Sequence, residues 1–206
     1  AMNIKPRFPF GFGLSYTQFD YEETEAKVEE TRFSVKICIT NTGSEYSGKE
    51  VIQLYIAKPQ GKLAKEKLSL VDFIKTDTLR PGESQTLIVG YDLTDCASYD
   101  GESASWILEQ GEYGVFAGAS ATDNHPIAVI DLDETVVVEK LTNICPLMEK
   151  LEIVSVDVKN FNYPENLIHL KVSASAISTR TVVYTPPAIH AKTDRVQHCL
   201  DTFTEQ

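Results

Sequence analysis

No stretch of this 206-residue chain approaches the ~18 consecutive apolar residues that a membrane-spanning helix requires, which excludes a helical anchor within it. Basic residues are scarce: 19 Lys and Arg stand against 30 Asp and Glu, a formal charge of −11. That balance denies the chain the clustered cations by which proteins grip nucleic acid or anionic lipid, so neither is expected as a partner. Cysteines are few. Cys38, Cys96, Cys145 and Cys199 lie far apart with no Cys-x-x-Cys pair among them, so neither a zinc site nor a redox dithiol is expected. Scattered thiols suit a reducing compartment. There is no Asn-x-Ser/Thr acceptor, and Ala1-Met2-Asn3-Ile4-Lys5-Pro6 has no apolar signal core, so a cytoplasmic protein is expected.

What is present is the composition of a folded protein, 42% apolar and 24% charged, with enough chain for one core and an appendage. Ten residues near the N-terminus stand out: Phe8-Pro9-Phe10-Gly11-Phe12-Gly13-Leu14-Ser15-Tyr16-Thr17. Three phenylalanines and a tyrosine interrupted by one proline and two glycines cannot form a helix and make a poor strand. Each buried Phe contributes roughly 1.5–3 kcal/mol, so this arm should be clamped to the edge of a core or to a partner. Gly11-Phe12-Gly13 begins like a dinucleotide fingerprint. The third glycine is replaced by Tyr16, Pro9 precedes in place of a strand, and Thr17-Gln18-Phe19-Asp20-Tyr21 alternates like a strand rather than a helix, so a phosphate cradle is set aside.

From Tyr16 to about residue 138 the pattern is of short strands separated by turn chemistry, which predicts an all-β sandwich of about seven strands. Phe33, Val35, Ile37 and Ile39 alternate with polar residues up to the turn cluster Asn41-Thr42-Gly43-Ser44. Glu50 to Ala57 carries apolar residues on both faces, as a central strand should. Further extended pieces are expected over Leu68–Thr76, Gln85–Leu93 and Tyr113–Ala119. Ser105 ends a long polar connection that starts at Thr94, and a last strand runs from Ile127 to about Val138. Glycine at every fourth place, Gly114 and Gly118, should let another surface approach closely. After residue 140 the character changes to a partly extended extension, with a possible short strand over Val154–Tyr163 and weak helical spacing at Val196, Leu200 and Phe203.

The arm resembles the motif that opens the fibronectin type III-like domain of family 3 glycoside hydrolases, the β-glucosidase and β-xylosidase group. Thr40-Asn41-Thr42-Gly43, Gly48 to Tyr55, Pro81-Gly82-Glu83-Ser84, Gly111-Glu112-Tyr113 and Gly118-Ala119-Ser120 follow in an order similar to that domain. The resemblance implies an immunoglobulin-like or fibronectin type III-like β-sandwich at residues 14–140, a lead-in at 1–13, and at 141–206 an extension toward a catalytic barrel that follows it. Ser175-Ala176-Ile177 through Tyr184-Thr185-Pro186-Pro187 is similar to the connector into that barrel, and Thr202 to Gln206 to its opening. It also implies partners in the same polypeptide, a catalytic barrel and an α/β sandwich domain that carry the catalytic carboxylates. No motif of either occurs here, so no catalytic, cofactor or metal residue is assigned and no cofactor is expected.

Candidate contacts with those domains are the aromatic group Phe8, Phe10, Phe12 and Tyr16, and the lysines of the 61–68 stretch, Lys62, Lys65 and Lys67, where the family's Lys-Pro is replaced by Lys65-Glu66. Other chemistry was weighed on the residues. Asp92 with Asp95, or Asp131 with Asp133 and Glu134, supply the carboxylates a glycosidase pair would need, yet a solvated sheet face explains them as well. His125, His169, His190 and His198 lack a Gly-x-Ser-x-Gly elbow to serve, and Asp123-Asn124-His125 has the composition of an ordinary loop as much as of a metal site. Two alternatives stay open: a carbohydrate-binding module using Tyr99, Trp106 or the arm, and a structural or adhesion sandwich unrelated to glycosidases.

Overall fold

The computed structural model describes residues 6–142 and 160–183. The expected helical spacing near the C-terminus, the Tyr184–Pro187 connector, the opening at Thr202, most of Val154–Tyr163, and Cys145, Cys199, His190 and His198 lie outside the described residues. The described fold is all-β. Its strands are β1 (Phe19–Glu29), β2 (Arg32–Asn41), β3 (Val51–Ala57), β4 (Ser69–Lys75), β5 (Ser84–Asp92), β6 (Ser98–Asp100), β7 (Ser105–Leu108), β8 (Gly111–Gly118), β9 (Asn124–Leu132), β10 (Val136–Lys140), β11 (Ile168–Val172) and β12 (Arg180–Thr181).

Three sheets result: β1-β2-β5, β11-β9-β8-β3-β4 and β12-β10-β7-β6. The sandwich packs the first against the second, eight strands in all: the seven of β1 to β5 with β8 and β9, and β11 at one edge. Phe33, Val35, Ile37 and Ile39 of β2 all point inward and meet Ile52, Leu54 and Ile56 of β3, Val115 of β8 and Ile130 of β9. The alternation in the sequence causes this, because period-2 apolar residues can bury one face only. β3 is hydrogen-bonded along both edges, by β4 and β8, and its other face is covered as well.

The second face of the five-stranded sheet carries a smaller cluster. Tyr55, Ala57 and Phe116 pack there with Leu68, Ala121, Phe161 and Tyr163. A Cβ at Gly114 would lie 2.4 Å from the Tyr163 ring, so the close approach expected at that glycine is real. Residues 160–183 also lend the sandwich an edge strand, β11, parallel to β9, and two buried side chains, Val172 and Ile177.

Two elements differ from expectation. The run Ile127–Val138 is two strands: β9 ends at Leu132 and β10 starts at Val136 in another sheet. Asp133 makes the break, its carboxylate accepting from the Ser173 hydroxyl at 2.8 Å and the Ala174 amide at 2.7 Å. The polar connection from Thr94 to Ser105 folds into a short 3-10 turn and the hairpin strand β6. Asp92 starts that turn by accepting from the Thr94 amide, satisfying a donor the turn leaves free.

Candidate interdomain surface

The arm is held by its backbone and presents its rings outward. Phe12 N–H donates to the Pro9 carbonyl at 3.0 Å, closing a turn with Gly11 at φ +84°, a left-handed value that glycine adopts freely. Any side chain at Gly11 would also strike Gln53, whose amide is fixed by the Ala119 carbonyl at 2.7 Å and the Tyr55 hydroxyl at 2.5 Å. The Ala121 amide donates to the Phe10 carbonyl at 2.9 Å, and the Thr17 hydroxyl to Asn41 Oδ1 at 2.5 Å. Two hydrogen bonds thus pin the arm to the sandwich, with Gly11 packed against Gln53 between them.

The side chains go the other way. Phe8 is 65%, Phe10 67%, Phe12 49% and Tyr16 92% exposed. Phe8 and Phe12 touch each other, ring centroids 5.2 Å apart, and Tyr16 lies 5.9 Å from Tyr46. The structure therefore brings the four aromatic candidates onto one arm without burying them in this chain. Leu14 continues the series, and exposed Phe73 of β4 stands in register with Gln53 beneath Gly11. Sequence reasoning missed Phe73. Its signal was an apolar residue on a strand whose inward positions were already filled.

The lysines separate. Lys62 stays at the surface, paired with Asp100 at 3.1 Å and Glu102 at 2.9 Å, and Lys67 sits 5.3 Å from the centre of the Phe161 ring. Lys65 is a correction: its side chain is 2% exposed and cannot meet a neighbour through its ammonium. Nζ donates to the Glu109 carboxylate, to the Pro59 carbonyl at 2.7 Å and to the Leu63 carbonyl at 3.2 Å. Glu109 in turn accepts from the Lys62 and Leu63 amides, at 2.6 and 3.3 Å. This buried pair folds the 58–65 loop onto the sandwich. Burial pushes the Glu109 carboxyl up, but the Lys65 ammonium and those amides outweigh it and hold the group below the usual carboxylate range. Nearby, the Ser69 hydroxyl and Lys58, 3.0 Å away, overcome burial and bring the Glu66 carboxyl down to about 2.

Among the acidic and histidine candidates, Asp92, Asp131, Asp133, His125 and His169 have structural partners. Asp92 is bound by the Thr31 hydroxyl at 3.0 Å and the Thr94 hydroxyl at 2.6 Å; burial raises its pKa, and these bonds win, leaving it lowered. Asp131 and Asp133 do not converge, because β9 ends between them and Asp133 turns to Ser173 and Ala174. His125 pairs with Glu23 at 2.9 Å and His169 with Asp131 at 2.9 Å. Glu112, Asp131 and His169 bring ligand atoms within 4.8 Å of one another on the sheet surface, the described trio that could hold a metal ion.

The chain is matched in part by known proteins. Residues 50–121 fit the family model described as a fibronectin type III-like domain. The chain is 37% identical over 159 residues to β-glucosidase A of Butyrivibrio fibrisolvens, a match that takes in 68% of this chain and 19% of that protein. Among solved structures, a β-glucosidase of Paenibacillus barengoltzii superposes with a TM-score of 0.64 at 40% identity, covering 66% of this chain and 16% of that one. The GH3 β-glucosidase of Bifidobacterium adolescentis does so with a TM-score of 0.56 at 34% identity, over 61% and 18%. Residues 50–121 are a fibronectin type III-like domain, and the chain is similar to a part of family 3 β-glucosidases. The fibronectin type III-like chain spans less than a fifth of the length of these relatives, which carry other domains in the same polypeptide.

Proposed function

We propose that this domain is a non-catalytic brace in a larger cytoplasmic enzyme that hydrolyses terminal β-glycosides. In this reading it precedes a catalytic barrel and holds that barrel and an α/β sandwich domain in place. The observation that carries it is the arm, pinned by its backbone to the sandwich while Phe8, Phe10, Phe12 and Tyr16 face out. Apolar rings in such a row find their burial on a neighbouring surface. Phe73, Lys62 and Lys67 extend the same role at its margins. The relatives named as β-glucosidases supply the class of reaction. A buried Cys96 thiol, pushed by burial up to about 12, and the half-buried free thiol of Cys38 suit a reducing compartment.

The test is hydrolysis of an aryl β-glucoside. The purified 206-residue chain is expected to show no turnover above the uncatalysed rate, and the complete parent to be active. Turnover by the chain alone would reject the brace.

A further inference from the structure

The four-stranded sheet carries a row of side chains that the brace does not use. Tyr99 on β6 is in register with Trp106 on β7, Trp106 with Glu139 on β10, and Glu139 with Arg180 on β12. Residues in register on paired strands point to the same face, so two rings, a carboxylate and a guanidinium stand in one line. Tyr99 is 42% and Trp106 39% exposed, with ring centroids 5.4 Å apart and planes at 55°. Arg180 donates from Nε at 3.1 Å and Nη2 at 2.5 Å to one oxygen of Glu139, Oε1, leaving Oε2 outside that pair. Glu139 and Arg180 also line a cleft of about 420 Å³ with Thr31, Thr94, Asp95 and Ser178.

We infer that this row and cleft form a binding site for a neutral, soluble oligosaccharide. A sugar ring offers apolar C–H faces, which lie against aromatic rings, and a rim of hydroxyls that need donors and acceptors together. Here the rings come from Tyr99 and Trp106, acceptors from Glu139, Asp95 and the Thr31 and Thr94 hydroxyls, whose own hydrogens go to Asp92, donors from Arg180, and a hydroxyl that does both from Ser178. A few polar groups beside an apolar surface is the general composition of a small-ligand site. Two carboxylates against one guanidinium disfavour an anionic ligand such as a nucleotide. Rings at 55° make a corner and not a flat platform, so the ligand is a free, twisted chain rather than the planar face of a crystalline glycan. Without a ligand, the aromatic pair would be a cross-strand contact worth roughly 0.2–1 kcal/mol to the hairpin, and nothing else.

Trp106 is the single tryptophan, so its emission reports on the site alone. The 206-residue chain is titrated with cellotetraose, xylotetraose and laminaritetraose, each followed by Trp106 fluorescence. At least one is expected to give a saturable shift, and Tyr99→Ala and Glu139→Gln should each weaken it about ten-fold. Phe73→Ala, on another sheet, should leave it unchanged, and thermal unfolding of every variant confirms folding. The inference is overturned by no saturable shift with any of the three, by affinity indifferent to both variants, or by retention on insoluble cellulose without binding of a soluble sugar. None of these outcomes bears on bracing, which is read from the parent.

Discussion

A lysine closed off from water is stable only where its charge is matched. In this domain Lys65 meets Glu109 and two carbonyls, and Glu109 has two further amides. Removing one member strands the other, a loss of about 3–5 kcal/mol for a buried pair. Lys65→Met should therefore lower the urea midpoint sharply at pH 7. Glu109 adds a pH dependence of known sign. Its folded pKa is lowered from an unfolded value near ~4.3, so the stabilisation is complete above that pH and fades as the pH falls through the folded value. Glu109→Gln should flatten the decline in urea midpoint between about pH 5 and pH 3. Little of this was legible in the sequence. A run with Lys62, Lys65 and Lys67 in an acidic chain looks like a solvated tip, and the partner of Lys65 lies 44 residues on.

Strands declare themselves where one face is buried and the other wet. β2 was readable for that reason, and β3 for the contrary one, an apolar run with both faces buried. The switch from β9 to β10 was hidden because Asp131 and Asp133 keep the alternation of a strand with one wet face, and only Ser173 and Ala174, about forty positions away, show that Asp133 ends the strand. Pro126 is tolerated inside β9 because it sits at a register shift, opposite Phe116. Gly114 announced a close approach without naming Tyr163. The arm was legible as an element with unspent apolar surface, though not in the direction its rings take. Its attachment makes a sharp prediction. Gly11→Ala puts a Cβ at a positive φ and against the fixed Gln53 amide, so the arm should let go while the sandwich stays folded. Hydrogen exchange of the Ala121 amide, which donates to Phe10, should speed up, with the core strands unaffected.

Over the described residues the molecule is a sandwich closed around its own core, with an arm whose apolar rings face outward. Its fold class and its likeness to the glycosidase domain could be read from turns and alternation, because those features are local. Tyr99 and Trp106 could be named from the sequence as rings for a sugar, but their row with Glu139 and Arg180 could not, since the four are brought together only by the third sheet. Phe8→Ser, Phe10→Ser and Phe12→Ser, made together in the isolated chain and in the complete parent, test the central claim most directly by thermal unfolding. Exposed positions lose little on substitution, within about 0.5 kcal/mol each, so the isolated chain should keep its midpoint to within a few degrees. The parent should lose both midpoint and β-glucosidase activity. Equal and small effects in chain and parent would contradict the account.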